Sequence, residues 1–321
     1  MKSSNIGGQA VIEGIMMRSG SRYSVAVRKP DGDIAVKSED YHGVVSSRFL
    51  MKTPFIRGIF NFIDALVLGT STLMYAASFY DDEAEEDEEE AKEKQELTEE
   101  EQARRDRKDK AVMGIVMAVS FIIAVAVFTL LPYYLSTLFR KHIESQTLIA
   151  VLEGVIRIAI FVGYIAAISL MKDIRRVFMY HGAEHKCINC IEHGMELNVA
   201  NVQKSSREHK RCGTSFILVV AVISIILFIF IRTSSPLSRV LIRLALIPVI
   251  AGIAYEFIKL AGRSTNRFVT VLSKPGLWIQ GLTTREPEDD MVEVAIRAVE
   301  EVFDWKKYLR ENFDESGRPL S

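Results

Sequence analysis

The sequence predicts a mainly α-helical polytopic membrane protein. It has about four transmembrane helices plus an interfacial or re-entrant helix. A small β-containing cytoplasmic domain is built from the N-terminus, the central loop and the C-terminal helix. Three observations predict this class. Apolar residues make up 49 % of the 321 residues and gather in runs long enough to cross a hydrocarbon core of roughly 30 Å. Charge is segregated: residues 81–110 hold 16 acids and 7 bases, leaving 25 acids and 33 bases elsewhere, so a net charge of −1 hides an acidic tract in a basic chain. Near the N-terminus apolar and polar residues alternate between turn signals, the mark of a hairpin. This distribution excludes a simple soluble domain.

Residues 1–54 form the N-terminal β-containing segment and carry no uninterrupted apolar core of the kind that opens a secretory signal. Tyr23–Arg28 alternates, Pro30-Asp31-Gly32 signals a turn, and Ile34–Lys37 supplies a partner strand. Ahead of it, Gly7-Gly8-Gln9-Ala10-Val11-Ile12-Glu13-Gly14 has glycines that suit tight turns in a small sheet or a close approach to a ligand or helix. It lacks phosphate-loop spacing, so nucleotide binding has little support. Residues 55–78 are apolar, but Arg57, Asn61 and Asp64 crowd their first half. Residues 79–111 are a charged acidic linker without an apolar stripe, either a solvated helix or disordered.

Residues 112–171 hold the first two predicted spans, Val112–Leu135 and Leu148–Met171, and residues 214–262 the other two, Phe216–Ile231 and Val240–Ala261. The second is expected to continue past Met171, since Ile174, Val177 and Phe178 keep a helical spacing. Orientation follows from the basic loops, which stay cytoplasmic. Residues 1–57 carry nine bases and 172–213 carry eight, against two in 136–147 and one in 233–239. Four spans put both termini, the acidic tract and the 172–213 loop in the cytoplasm of a cell-membrane protein. A fifth crossing at 55–78 would export the nine-base N-terminal region, hence its reading as interfacial or re-entrant. Residues 263–321 form a C-terminal cytoplasmic segment ending in an amphipathic helix. Asp289 and Asp290 open that helix, and Val292, Ala295, Ala298, Val299, Val302 and Phe303 form its apolar face.

The constellation with chemical content lies in the cytoplasmic His/Cys loop, 172–213. Four of six histidines and all three cysteines fall between His181 and Cys212, which favours metal over a disulfide framework. On a helix, His181 and His185 share one face a turn apart, the spacing for two imidazoles on one metal, with Glu184 beside them. His-x-x-Glu-His is the inverted zinc-protease order, in which the glutamate activates water. His209 and Cys212 are candidates for the remaining ligands. Cys187-x-x-Cys190 offers another arrangement, a thiolate pair closed by His209 or Cys212 as a structural staple. A third reading has the cluster capping helix ends without metal. Glu192 is a candidate extra ligand or supporting partner.

Within the spans, Glu153 and Arg157 lie four residues apart and can pair. Arg243 and Glu256 are too far apart on one helix to pair, about 20 Å. Arg243 is expected to snorkel, and Glu256 lies near the depth of the cluster as a candidate member.

At these residues the sequence resembles the YqhQ-type family of bacterial membrane proteins. The likeness rests on Gly8–Gly14 with Met16-Met17-Arg18, on Pro54 with Arg57-Gly58, and on His181-Gly182-Ala183-Glu184-His185-Lys186. It continues in Arg211–Ser215 and Pro275-Gly276-Leu277-Trp278, then Gln280 and Thr283–Pro287. It spans most of the chain outside the acidic tract. The family's shared domain is of unknown function, and members have been labelled metal-dependent enzymes. The resemblance implies that His181, Glu184, His185, Glu192, His209 and Cys212 belong to the shared pattern and that the Cys187–Cys190 pair does not. It also implies a ligand-binding role for Gln9, Glu13 and Arg18, folded toward the same cluster.

Two functions follow as expectations. One is a metal-dependent hydrolase at the cytoplasmic face: a divalent metal, zinc foremost, on His181, His185 and His209 or Cys212, with Glu184 as general base. The other is a non-enzymatic membrane accessory or transport-associated protein in which the cluster is structural. The expected partners are the lipid bilayer and a membrane protein or second copy of the chain. Nucleic acid is not expected, since the positive-inside bias accounts for the bases.

Overall fold

The structure, a computed structural model, describes residues 2–45, 48–80, 99–209, 211–231, 235–261, 266–314 and 317–320. Most of the acidic linker, 81–98, lies outside the described residues.

Four strands, β1 (Gly7–Val11), β2 (Gly14–Ser19), β3 (Arg22–Arg28) and β4 (Ile34–Asp40), form an antiparallel meander in that order. The register pairs Gly8 with Met17, Gly14 with Val27 and Tyr23 with Glu39. The glycine segment is thus a hairpin within this sheet. Ile15-Met16-Met17 and Val25-Ala26-Val27 are buried without alternation because both faces of the sheet are covered. On one face Val11, Met16, Tyr23, Val25 and Val27 pack on Leu68 and Ala76 of helix α1 (Ile56–Ala77). On the other, Ile15, Met17 and Ala26 join the main core with helices α4 (Lys172–Glu192) and α9 (Asp289–Val302). The N-terminus, the central loop and the C-terminal helix therefore share one core.

Among the described residues, five helices are long and apolar enough to cross a membrane. They are α1; the run Gly114–Lys141, entered from α2 (Glu99–Val125); α3 (Gln146–Ile168); α6 (Gly213–Phe230); and 240–261 of α7 (Pro236–Ala261). Their outward faces are apolar, with Phe121, Ile122, Val155 and Phe230 exposed. The stretch expected to be interfacial or re-entrant is one continuous 22-residue helix. Its first turns lie on α7, where a Cβ on Gly58 would stand 2.8 Å from Tyr255 Cβ and 3.0 Å from Gly252 Cα. Its second half lies on the sheet. Asp64 Oδ1 accepts from the Val44 N–H at 2.6 Å and from Tyr41 Oη at 3.2 Å, and the Tyr80 hydroxyl, just past the helix, donates to the Arg28 carbonyl.

Two expectations are corrected. The second apolar helix does not run through Met171. It stops at Ile168, Met171 is extended at φ −71° and ψ 135°, and α4 begins afresh at Lys172. Ser169 Oγ turns back onto the Ala166 carbonyl, and Asp173 provides the acid that favours a new N-terminus. Nor does Arg243 snorkel: it is 5 % exposed and pairs with Glu153 at 2.7 Å.

Candidate metal centre

Helix α4 has two buried faces. At 100° per residue, His181, Glu184, His185, Ile188 and Glu192 share one of them. Tyr180, Ala183, Cys187, Cys190 and Ile191 point into the main core. Cys187 and Cys190 therefore lie away from the imidazoles; the Cys190 thiol faces the Glu196 carbonyl at 3.4 Å. Burial pushes both thiols up, Cys187 well above the ordinary range and Cys190 to about 11, so they are held as thiols.

His181, His185 and Cys212 each offer one ligand atom, and the three atoms lie within 4.8 Å of one another. Each imidazole is tied from behind. His181 Nδ1 lies 2.8 Å from the Thr283 carbonyl and His185 Nδ1 lies 2.6 Å from the Arg207 carbonyl. A carbonyl only accepts, so each Nδ1 carries a proton, and in the neutral ring each Nε2 then presents its lone pair, the arrangement of metal-ligating histidines. His181 Nε2 lies 3.2 Å from Cys212 Sγ. Cys212 caps helix α6, its sulfur 3.5 Å from the Thr214 nitrogen. Helix α8 (Arg267–Thr283) brings the Thr283 carbonyl, and a Cβ on Gly182 would collide with the Arg285 carbonyl oxygen. Only glycine lets the chain after α8 come that close.

Glu184 stands beside the three, its Oε2 3.9 Å from His181 Nε2. Burial raises its pKa, against the pull of His181 and the Gly8 N–H that donates to it. Gly8 closes the site: a Cβ there would lie 2.5 Å from the Met16 carbonyl oxygen and 3.0 Å from Glu184 Cγ. A cavity of about 100 Å³ opens between Gly7, Gly8, His181, Glu184, His185, His209, Arg211 and Cys212. That exceeds the roughly 30 Å³ share of a water molecule. Two imidazoles, one thiolate and an adjacent carboxylate suit a divalent ion of borderline softness with one coordination position left over.

His209 borders this cavity, its ring 5.6 Å from that of His185, but its Nε2 faces Glu192 Oε2 at 3.8 Å. Burial opposes charge on Glu192, yet the nearby His209 ring, the charge of Arg211 and hydrogen bonds from Ser4 hold its carboxyl down at about 2. Ser4 donates from its nitrogen at 2.7 Å and its hydroxyl at 2.8 Å, and Arg211 reaches both Glu192 and the Ser3 hydroxyl. Glu192 thus fastens the N-terminal segment over the cluster.

The remaining candidates lie elsewhere. Gln9 packs on Gly69 of α1, where a Cβ would collide with its side-chain amide. Glu13 pairs with Arg176 and accepts from the Tyr180 hydroxyl at 3.2 Å. Arg18 donates to the Gly20 carbonyl and stacks 5.2 Å from the Tyr41 ring centre. Their segment reaches the cavity through Ile6, Gly7 and Gly8. Glu256 is bound by Arg57 at 2.6 and 2.5 Å. Spacing alone missed the groups that hold the cluster: Arg211, Ser4 and Gln280. The Gln280 side chain clamps the His209 backbone at 2.9 and 2.7 Å and donates to Ser215 Oγ at 2.8 Å. Arg211, Gln280 and Thr283 lie within the segments that carry the family resemblance, which was the signal available.

Fold and cluster together define a class: a protein of long apolar helices carrying a largely buried His-His-Cys set with a glutamate, where an antiparallel sheet meets the helices. The chain belongs to the family described as a protein of unknown function (DUF1385), whose model matches residues 53–305. It is 36 % identical over 303 residues to the uncharacterized protein YqhQ of Bacillus subtilis (strain 168), covering 92 % of this chain and 91 % of that one. No solved structure matches it.

Proposed function

We propose that the chain is a membrane-embedded, metal-dependent hydrolase. His181, His185 and Cys212 hold a zinc ion at the cytoplasmic face, and Glu184 is the general base. The observation that carries this reading is the pair of carbonyls behind the two imidazoles, which aim both Nε2 atoms at the space in front of Cys212. A packing role needs no such tautomer control. Zinc in this position supplies Lewis acidity toward water or a substrate carbonyl. Glu184, buried and with a raised pKa, takes a proton from the attacking water and returns it to the leaving group. His209 stays with Glu192 and steadies the wall of the site. The scissile substrate enters from the cytoplasmic interface and fills the space beside Gly8.

The long packing of α1 on the sheet supports a four-span topology. From Asp64 onward one face of this helix is occupied by Val44, Tyr41, Gln9 and the sheet core, while Leu66, Val67, Leu73 and Met74 are exposed on the other. Only its first eight residues, about 12 Å, lie clear of the sheet on every side. That is an interfacial helix, and the basic surroundings favour a cytoplasmic sheet, cluster and termini.

Elemental analysis of the detergent-purified, chelator-washed chain, free of metal-binding tags, tests this. About one zinc per chain is expected, lost in a His181→Ala, His185→Ala double variant. Absence of metal from both proteins overturns the reading and leaves a structural cluster in an accessory protein.

A further inference from the structure

At the far end of the apolar helices a second charged group is buried. Glu153 of α3 accepts from Arg157 at 2.8 Å and from Arg243 of α7 at 2.7 Å. Arg157 is fully engaged. It donates to Ser224 Oγ at 2.6 Å and to the Phe128 carbonyl at 3.0 Å, the carbonyl to which Pro132, four residues on, has no N–H to give. Arg243 is not. Although it is 5 % exposed, its Nε and Nη1 have no hydrogen-bond partner among the described residues, and the rings of Tyr133 and Phe228, at 4.8 and 4.7 Å, face its charge. Two guanidinium groups and one carboxylate leave one positive charge among apolar helices, a state that calls for an anion.

The space beside Arg243 suits one. A cavity of about 220 Å³ lies against Arg243, Glu153 and Tyr133, with the oppositely charged Arg140 and Glu144 also lining it. An apolar cavity of about 410 Å³ lies on the other side of Arg243 and Phe228, walled by Phe161 and Ile247. Glu153 stands seven residues into α3, about 10 Å from the helix end and near the headgroup layer. Cys212 and Phe228 are sixteen residues apart on α6, about 24 Å, so this group is remote from the metal centre and does not depend on it.

We infer that the Glu153–Arg157–Arg243 group is an oxyanion site whose ligand is the phosphate of an acidic phospholipid. The polar cavity takes the headgroup and the apolar cavity takes an acyl chain. A guanidinium with unused N–H groups recognises phosphate by directed hydrogen bonds, and two adjoining cavities of opposite character match an amphiphile better than a free ion.

The full chain, delipidated in a neutral detergent, is melted with phosphatidylglycerol, phosphatidylcholine or inorganic phosphate. Phosphatidylglycerol raises the melting temperature saturably by several degrees and the other two do not. Arg243→Gln weakens this effect about tenfold or more. Ala150→Phe, which fills the same cavity without touching the charges, does the same and carries the test if the first variant fails to fold. Equal stabilisation by inorganic phosphate would make the site one for a soluble anion and overturn the lipid assignment. No response to any anion, or an undiminished response in Ala150→Phe, would overturn the site.

Discussion

Gly8 donates its backbone N–H to the carboxylate of Glu184, and the space its missing side chain would fill holds Glu184 Cγ, 3.0 Å from an ideal Cβ. A strand and a helix separated by most of the chain's first half thus meet with no room to spare. Gly8→Ala is expected to lower stability by about 1–3 kcal/mol through overpacking and to reduce metal content. Gly7→Ala, with nothing within 4 Å of its Cβ, is near neutral. Thermal melts and elemental analysis of the two variants check the contrast.

Glu184→Gln keeps the size of the side chain but removes the proposed base. Metal content stays at the wild-type level, while hydrolysis of an ester and amide panel falls about 10²–10⁴-fold. Unchanged turnover in that variant would remove Glu184 from the chemistry.

Cys212 and the other two cysteines should separate cleanly. Cys212→Ala abolishes metal binding, and the Cys187→Ala, Cys190→Ala double variant retains it. Because burial holds Cys187 and Cys190 as thiols at neutral pH, iodoacetamide leaves both unlabelled in the folded chain and labels both in denaturant. Mass spectrometry of the peptides reads the result.

Glu192 sets an acid limb of stability. Its folded pKa of about 2 lies below the ordinary 4.5, so its contribution is complete above pH 4.5 and is lost as pH falls toward 2. Between pH 5 and pH 3 the loss amounts to about 2 kcal/mol. Denaturant melts of wild type across this range show it, and Glu192→Gln flattens the slope.

Glu153→Gln strands two guanidinium groups at once and is expected to cost about 3–5 kcal/mol. Ser224→Ala removes a single acceptor from the group and costs about 1 kcal/mol. Melting temperatures in detergent rank the two.

The apolar helices were legible because a hydrophobic run of bilayer length is seldom compatible with water on all sides. The Tyr23–Lys37 hairpin was legible because its alternation brackets a turn. On α4 the spacing of His181, Glu184 and His185 revealed a shared face. Distance along the chain made Cys187 and Cys190 look like companions, yet the helical rotation turns them toward the core. The stop at Met171 left no proline or glycine behind. The role of Arg243 depends on which helices are neighbours: snorkelling is a solution within one helix, and the partner it found, Glu153, sits on another. Arg57 and Glu256 repeat that lesson between α1 and α7. The carbonyls of Thr283 and Arg207 are invisible to any side-chain motif, since every residue has one.

The sulfur of Cys212 rides on α6 and the imidazoles of His181 and His185 ride on α4, with 3.2 Å between Sγ and the nearest Nε2. The three candidate ligand atoms are therefore carried by two elements, one an apolar helix long enough to cross a membrane and the other a helix packed in the core of the sheet domain. A fragment cut free of the apolar helices keeps both histidines and loses the cluster. In the intact chain, a tilt of α6 is felt directly as a change in that gap. With the proposed metal in place, its affinity depends on how α6 sits against α4, so bilayer thickness is a variable to set when that affinity is measured.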